Sequence, residues 1–241
     1  MELLVGHIIC FILLCLYYYG VTAMEFIYSK EIDDIILRHN YKILSGKDVS
    51  SNYLIYEILD FIYDTKSPKS FYEEQEINPV VSKLINLPYW NNLEKVLNYY
   101  ELNNISLASI INIIVNNSIL KNSFQFIDGL SFTDGNSYIT IAKIYDIKTT
   151  FSIILHEILH IETKPIFKYI ENKSGNKIQN PVKENYVKLL ERIIMEDLNI
   201  GEIEVMDKSL EKLYKEWVSN SNKIKIVEFI ERGVFYGKEY I

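Results

Sequence analysis

Histidine is scarce in this chain: four among 241 residues, at positions 7, 39, 156 and 160. The last two close the pentapeptide His156-Glu157-Ile158-Leu159-His160. Residues four apart on a helix share a face, so both imidazoles can direct a ring nitrogen at one ion. Glu157 is turned about 100° from His156, within reach of a water on that ion without ligating it. Zinc is the ion this pattern suits, because it acidifies water enough to supply hydroxide near neutral pH. Glu157 is then the general base, taking the proton and returning it to a leaving amine. The plainer alternative is an amphipathic helix whose histidines are ordinary polar groups.

The elements that must hold these residues are legible in the flanking patterns. Phe124–Ile127, Leu130–Thr133 and Ser137–Ile144 read as short strands, with turn signals at Asp128-Gly129 and Asp134-Gly135. Thr149 or Thr150 can cap a helix that runs through His160 to about Thr163, and Pro165 should end or interrupt it. A polar loop follows over Glu171–Asn180. Pro181 can open a helix to Asn199, with Gly201 just past its end. Lys208–Val218 and Ile224–Arg232 read as two last helices. Upstream, helical spacing marks Glu31–Leu44, a segment capped by Ser50 or Ser51 and running to Ile62, Tyr89–Leu102, and Ser106–Leu120, with a loop over Lys66–Pro79.

With these residues in view, the segment from about Ser137 to Asn199 resembles the zincin superfamily of zinc metallopeptidases, in which a strand precedes the His-Glu-x-x-His helix. The metzincin extension would need glycine at 163 and histidine at 166; Thr163 and Ile166 stand there, which excludes that branch. The resemblance then implies a carboxylate as third ligand, as in gluzincins. Glu184, separated from His160 by 23 residues, is the first choice, and Glu191, two turns later on the same helical side, the second. Asp197 reads as lying on the apolar face, where an unpaired charge is costly; it is a third choice as ligand or a partner for a ligand histidine. A solvated face pairing with Lys188 is the ordinary role for Glu184 and Glu191. Lys188 also stands where a thermolysin-like pattern places an aspartate, four residues after the ligand.

An oxyanion donor is harder to choose. Tyr169, Tyr186, Tyr236 and Arg232 are candidates, but among 19 tyrosines a packing role is the default. His39, far from the motif, reads as a surface or capping residue.

Composition bounds the setting. Half the residues (49%) are hydrophobic, enough for a sizeable core. The net charge of -7 carries no basic stripe of the kind nucleic acids require. Leu3–Tyr19 is almost wholly apolar, and Gly20 followed by Val21-Thr22-Ala23 fits a secretory signal cleaved after Ala23. The rivals are an uncleaved membrane anchor, since no Lys or Arg precedes the run, and a buried core helix. Cys10 and Cys15 both lie in this segment, and the large Leu14 speaks against lipid attachment at Cys15. Beyond Ala23 no cysteine remains for a disulfide, a thiolate site or a nucleophile.

The expectation is therefore an α+β, mainly helical fold, with a small, partly antiparallel sheet packed on the His-Glu-x-x-His helix. Residues 1–23 form the signal or anchor, and 24–241 a single domain with a helical part (24–122), sheet and metal-site helices (123–200) and C-terminal helices (201–241). The expected function is zinc-dependent peptide-bond hydrolysis outside the cytoplasmic membrane, as an endopeptidase rather than an exopeptidase. Its partner is a peptide or protein substrate, with no nucleic acid, and a membrane only through an uncleaved N-terminus. The alternatives are a catalytically inactive exported or membrane-anchored binding protein with a metallopeptidase-like fold, an amidase acting on cell-wall peptides, and a structural helical protein that holds no zinc.

Overall fold

A computed structural model describes residues 24–28, most of 35–42 and 54–58, 89–102, strand segments between 111 and 142, 146–201 and 208–236. Within the strands it describes the side chains of Ser131 and Ile139. The signal or anchor reading of 1–23, both cysteines and the expected loop at 66–79 lie outside the described residues. Along the chain come β1 (Met24–Tyr28), α1 (Tyr89–Tyr99), β2 (Ile111–Asn116), β3 (Leu120–Lys121), β4 (Phe126–Ile127), β5 (Gly129–Asp134), β6 (Asn136–Ala142), α2 (Ile147–Ser174), α3 (Asn180–Asp197), α4 (Lys208–Asn220) and α5 (Ile226–Tyr236).

Four strands pair in the order β1-β2-β6-β5. β1 and β6 both run parallel to β2, and β5 is antiparallel to β6. β3 and β4 form a separate two-stranded ladder. The expected helix over Ser106–Leu120 is corrected here, because Ile111-Asn112-Ile113-Ile114-Val115 forms β2. Branched side chains lose rotamer freedom on a helix and fit a pleated surface. A strand with a parallel neighbour on each side reads as a continuous apolar run, which periodicity alone confuses with a buried helix.

The α+β expectation of a small, partly antiparallel sheet packed on the His-Glu-x-x-His helix is corrected as well. The larger sheet mixes two parallel pairings with one antiparallel, and it is not what makes up the described core on this helix. The described core around α2 is built by helices, and Ile139 is the one strand residue among its described members. Phe151, Ile154, Leu155, Ile158 and Leu159 of α2 join Val187, Leu190 and Ile194 of α3, Leu213 and Trp217 of α4, and Phe229 and Ile230 of α5. From α1, Trp90 and Tyr89 close over Phe151, with ring centroids 4.6 and 5.7 Å away.

Two helix boundaries depart from expectation. The cap of α2 is Asp146, not Thr149 or Thr150: its carboxylate accepts from the Thr149 amide (3.0 Å) and hydroxyl (2.6 Å). Nor does Pro165 end the helix, which continues to Ser174 and stops at Gly175, where φ is +70°. An interior proline costs about 3 kcal/mol. Pro165 itself is exposed, while Ile166, Phe167 and Ile170 beyond it are buried, and that burial offsets the cost. α3 carries its proline in the first turn, where the missing N–H costs nothing. No helix among the described residues is long and apolar enough to cross a membrane.

Candidate metal centre

α2 and α3 meet at one polar site. The two histidine Nε2 atoms lie 3.1 Å apart. The Glu184 carboxylate, from the start of α3, places Oε2 3.5 Å from Nε2 of His156 and Oε1 3.3 Å from Nε2 of His160. One ligand atom from each of His156, Glu157 and His160 also falls within 4.8 Å of the others. Glu157 is thus near, but it is engaged elsewhere: its carboxylate accepts from the hydroxyl and the backbone N–H of Ser131 on β5. Of the two carboxylates, it is Glu184 that touches both Nε2 atoms.

The other side of His156 is occupied too. Its Nδ1 lies 3.0 Å from Oε2 of Glu191, and the Ser152 hydroxyl donates to Oε1 of the same carboxylate. Glu191 is buried, whereas Glu184, His156 and His160 are half-buried.

These contacts set the charges. Burial is the largest influence on His156 and favours the neutral ring. Hydrogen bonds to Glu184 and Glu191, with the negative charges of Glu191 and Glu157, outweigh it and raise the pKa to about 10. Burial holds the His160 pKa below the ordinary value, against the pull of Glu184. Burial raises that of Glu157, partly countered by the His156 charge and by Ser131. The hydrogen bond to His156 lowers that of Glu184 despite its partial burial.

The other expected residues fall elsewhere. Asp197 is exposed and accepts from the Tyr100 hydroxyl at 2.6 Å, so its placement on an apolar face is corrected. Arg232 is exposed and pairs with Glu228 one turn away. Tyr169 is exposed, beside Lys173. Tyr186 is buried, its hydroxyl is unpartnered, and it packs toward α5, where a Cβ at Gly233 would come within 1.9 Å of Oη. The side chain of Tyr236 lies outside the described residues. His39 is buried rather than superficial, and burial lowers its pKa.

Two residues of the site were missed in the sequence. Ser152 sits one turn before His156, and that i, i+4 spacing was the available signal. Ser131 had none, because its place beside Glu157 depends on how β5 docks against α2. No family model, curated protein or solved structure matches the chain.

Proposed function

We propose that the chain is a zinc-dependent peptidase acting outside the cytoplasmic membrane, with His156, His160 and Glu184 holding the ion and Glu157 as general base. One observation carries this reading. Zinc bound tetrahedrally at about 2.0–2.1 Å to nitrogen and oxygen needs ligand atoms about 3.3–3.4 Å apart. The two Nε2 atoms stand 3.1 Å apart, close to that spacing, and the Glu184 carboxylate spans the pair, with Oε1 3.3 Å from Nε2 of His160 and Oε2 3.5 Å from Nε2 of His156, so a small turn of the carboxylate would bring one oxygen to both. With the Nε2 proton of His156 released on binding, two imidazoles and one carboxylate are a donor set zinc accepts, and three protein ligands leave a position for water or substrate.

When bound, zinc would polarise the scissile carbonyl and make the attacking water acidic. The chain supplies the rest. Glu157 would take a proton from the attacking water and deliver it to the leaving nitrogen. Ser131 would hold the Glu157 carboxylate beside the two histidines. Among the described strands β5 lies at one edge of the sheet, so an extended peptide added along that edge would pass both Ser131 and Glu157.

The test is the zinc content of the purified full chain, alongside Glu157→Ala and a His156→Ala/His160→Ala double variant. Wild type and Glu157→Ala should each hold about one zinc, and the double variant none. Glu157→Ala should then cleave a susceptible peptide about 100- to 10,000-fold more slowly than wild type. A folded wild-type chain that takes up no zinc ends this reading. Zinc uptake with no cleavage of any peptide would leave a binding protein.

A further inference from the structure

We propose that Glu191, braced by Ser152, is a positioning residue that turns the His156 ring so that Nε2 faces the metal position, and is not itself a ligand. The inference rests on the zinc reading above. Ser152 and His156 stand one turn apart on α2, and Glu191 reaches across from α3 to both. Each of its oxygens is engaged, Oε1 by the Ser152 hydroxyl and Oε2 by Nδ1 of His156. The two nitrogens of an imidazole point away from each other. A carboxylate on Nδ1 therefore lies on the far side of the ring from Nε2, and it could ligate only by giving up both contacts.

Burial strengthens this arrangement. Glu191 is 7% exposed, and a buried carboxylate with an unsatisfied oxygen is costly. Ser152 satisfies the oxygen that His156 does not, and so removes the reason for the side chain to rotate. A proton on Nδ1, donated to Glu191, leaves the lone pair on Nε2 for a metal. Glu184, seven residues earlier on α3, approaches the opposite edge of the same ring. His156 is thus gripped at both nitrogens by one helix, and the two carboxylates have separate tasks.

The test uses Glu191→Ala, Glu191→Gln and Ser152→Ala in the full chain, with zinc dissociation constants from chelator competition and the His156 ring nitrogens followed by 15N NMR. Glu191→Ala should still bind one zinc, about 10- to 100-fold more weakly. Glu191→Gln keeps an acceptor for Nδ1–H and should fall between wild type and alanine, which also guards against a misfolded alanine variant. Ser152→Ala should weaken binding less than Glu191→Ala. A change under about twofold in Glu191→Ala overturns the proposal. So does loss of zinc in both Glu191 variants to the level of the double-histidine variant, the mark of a ligand. If wild type binds no zinc, the metal reading fails on its own. The clamp is then read in the metal-free chain: a slowly exchanging Nδ1 proton on His156, lost in Glu191→Ala, supports it, and its absence from wild type refutes it.

Discussion

At the scale of single residues, one site asks different things of three glutamates. Glu184 meets both Nε2 atoms, Glu191 meets Nδ1 of one ring, and Glu157 is turned to a strand. Ser131 gives the sharpest prediction, because it touches the expected base and no expected ligand. Ser131→Ala removes one charge-assisted hydrogen bond, so peptide cleavage should slow roughly tenfold while zinc content stays unchanged. Steady-state kinetics with metal analysis on the same preparation checks both halves. His156, Glu157 and His160 were legible together because one helix carries them, and helical spacing needs no tertiary information. Glu184 came from the resemblance and its chain separation. The partner role of Glu191 was not legible, since it depends on how α3 is rotated against α2. Asp197 was misplaced because its side chain meets Tyr100, just past the end of α1 and 97 positions away.

At the scale of elements, α3 carries two of those carboxylates and must be held in register with α2. Part of that task falls to α5. Gly233 leaves room for the Tyr186 ring, and a methyl group there would lie 1.9 Å from its hydroxyl oxygen. Gly233→Ala should therefore cost about 1–3 kcal/mol through overpacking, despite alanine's better helix propensity. Urea unfolding measures it, and an equal or more stable variant would mean that α5 shifts freely. Sequence patterns found the helices that present one apolar face, α3 and α4 among them. They failed at β2, whose short branched run has no periodicity to separate strand from buried helix, and at Pro165, where a local rule yields to the burial of the turns beyond it.

At the scale of the whole molecule, the proposed zinc ties α2 to α3 and so bears on global stability. Beyond residue 23 the chain has no cysteine, hence no covalent cross-link there. Ligands that bind only the folded state add RT ln(1 + [L]/Kd), about 2.7 kcal/mol at a hundredfold excess over Kd. A strong chelator should therefore lower the melting temperature of wild type and leave the His156→Ala/His160→Ala double variant unmoved. Calorimetry with and without chelator reads both, and equal melting in all four samples would remove zinc from the stability of the fold.

Every proposed ligand and the clamp lie between Ser152 and Glu191, forty consecutive residues that form a single helical hairpin. Contacts so close along the chain close quickly, whereas parallel pairings such as β1 with β2, 87 positions apart in register, close late. The half of the site that holds the proposed ligands can thus take shape while the sheet is still incomplete. The brace on Glu157 cannot, because Ser131 is placed by its pairing with Ile139. On the proposed reading, a refolding chain would hold its zinc before the proposed base is braced, because that brace waits on the slowest part of the fold.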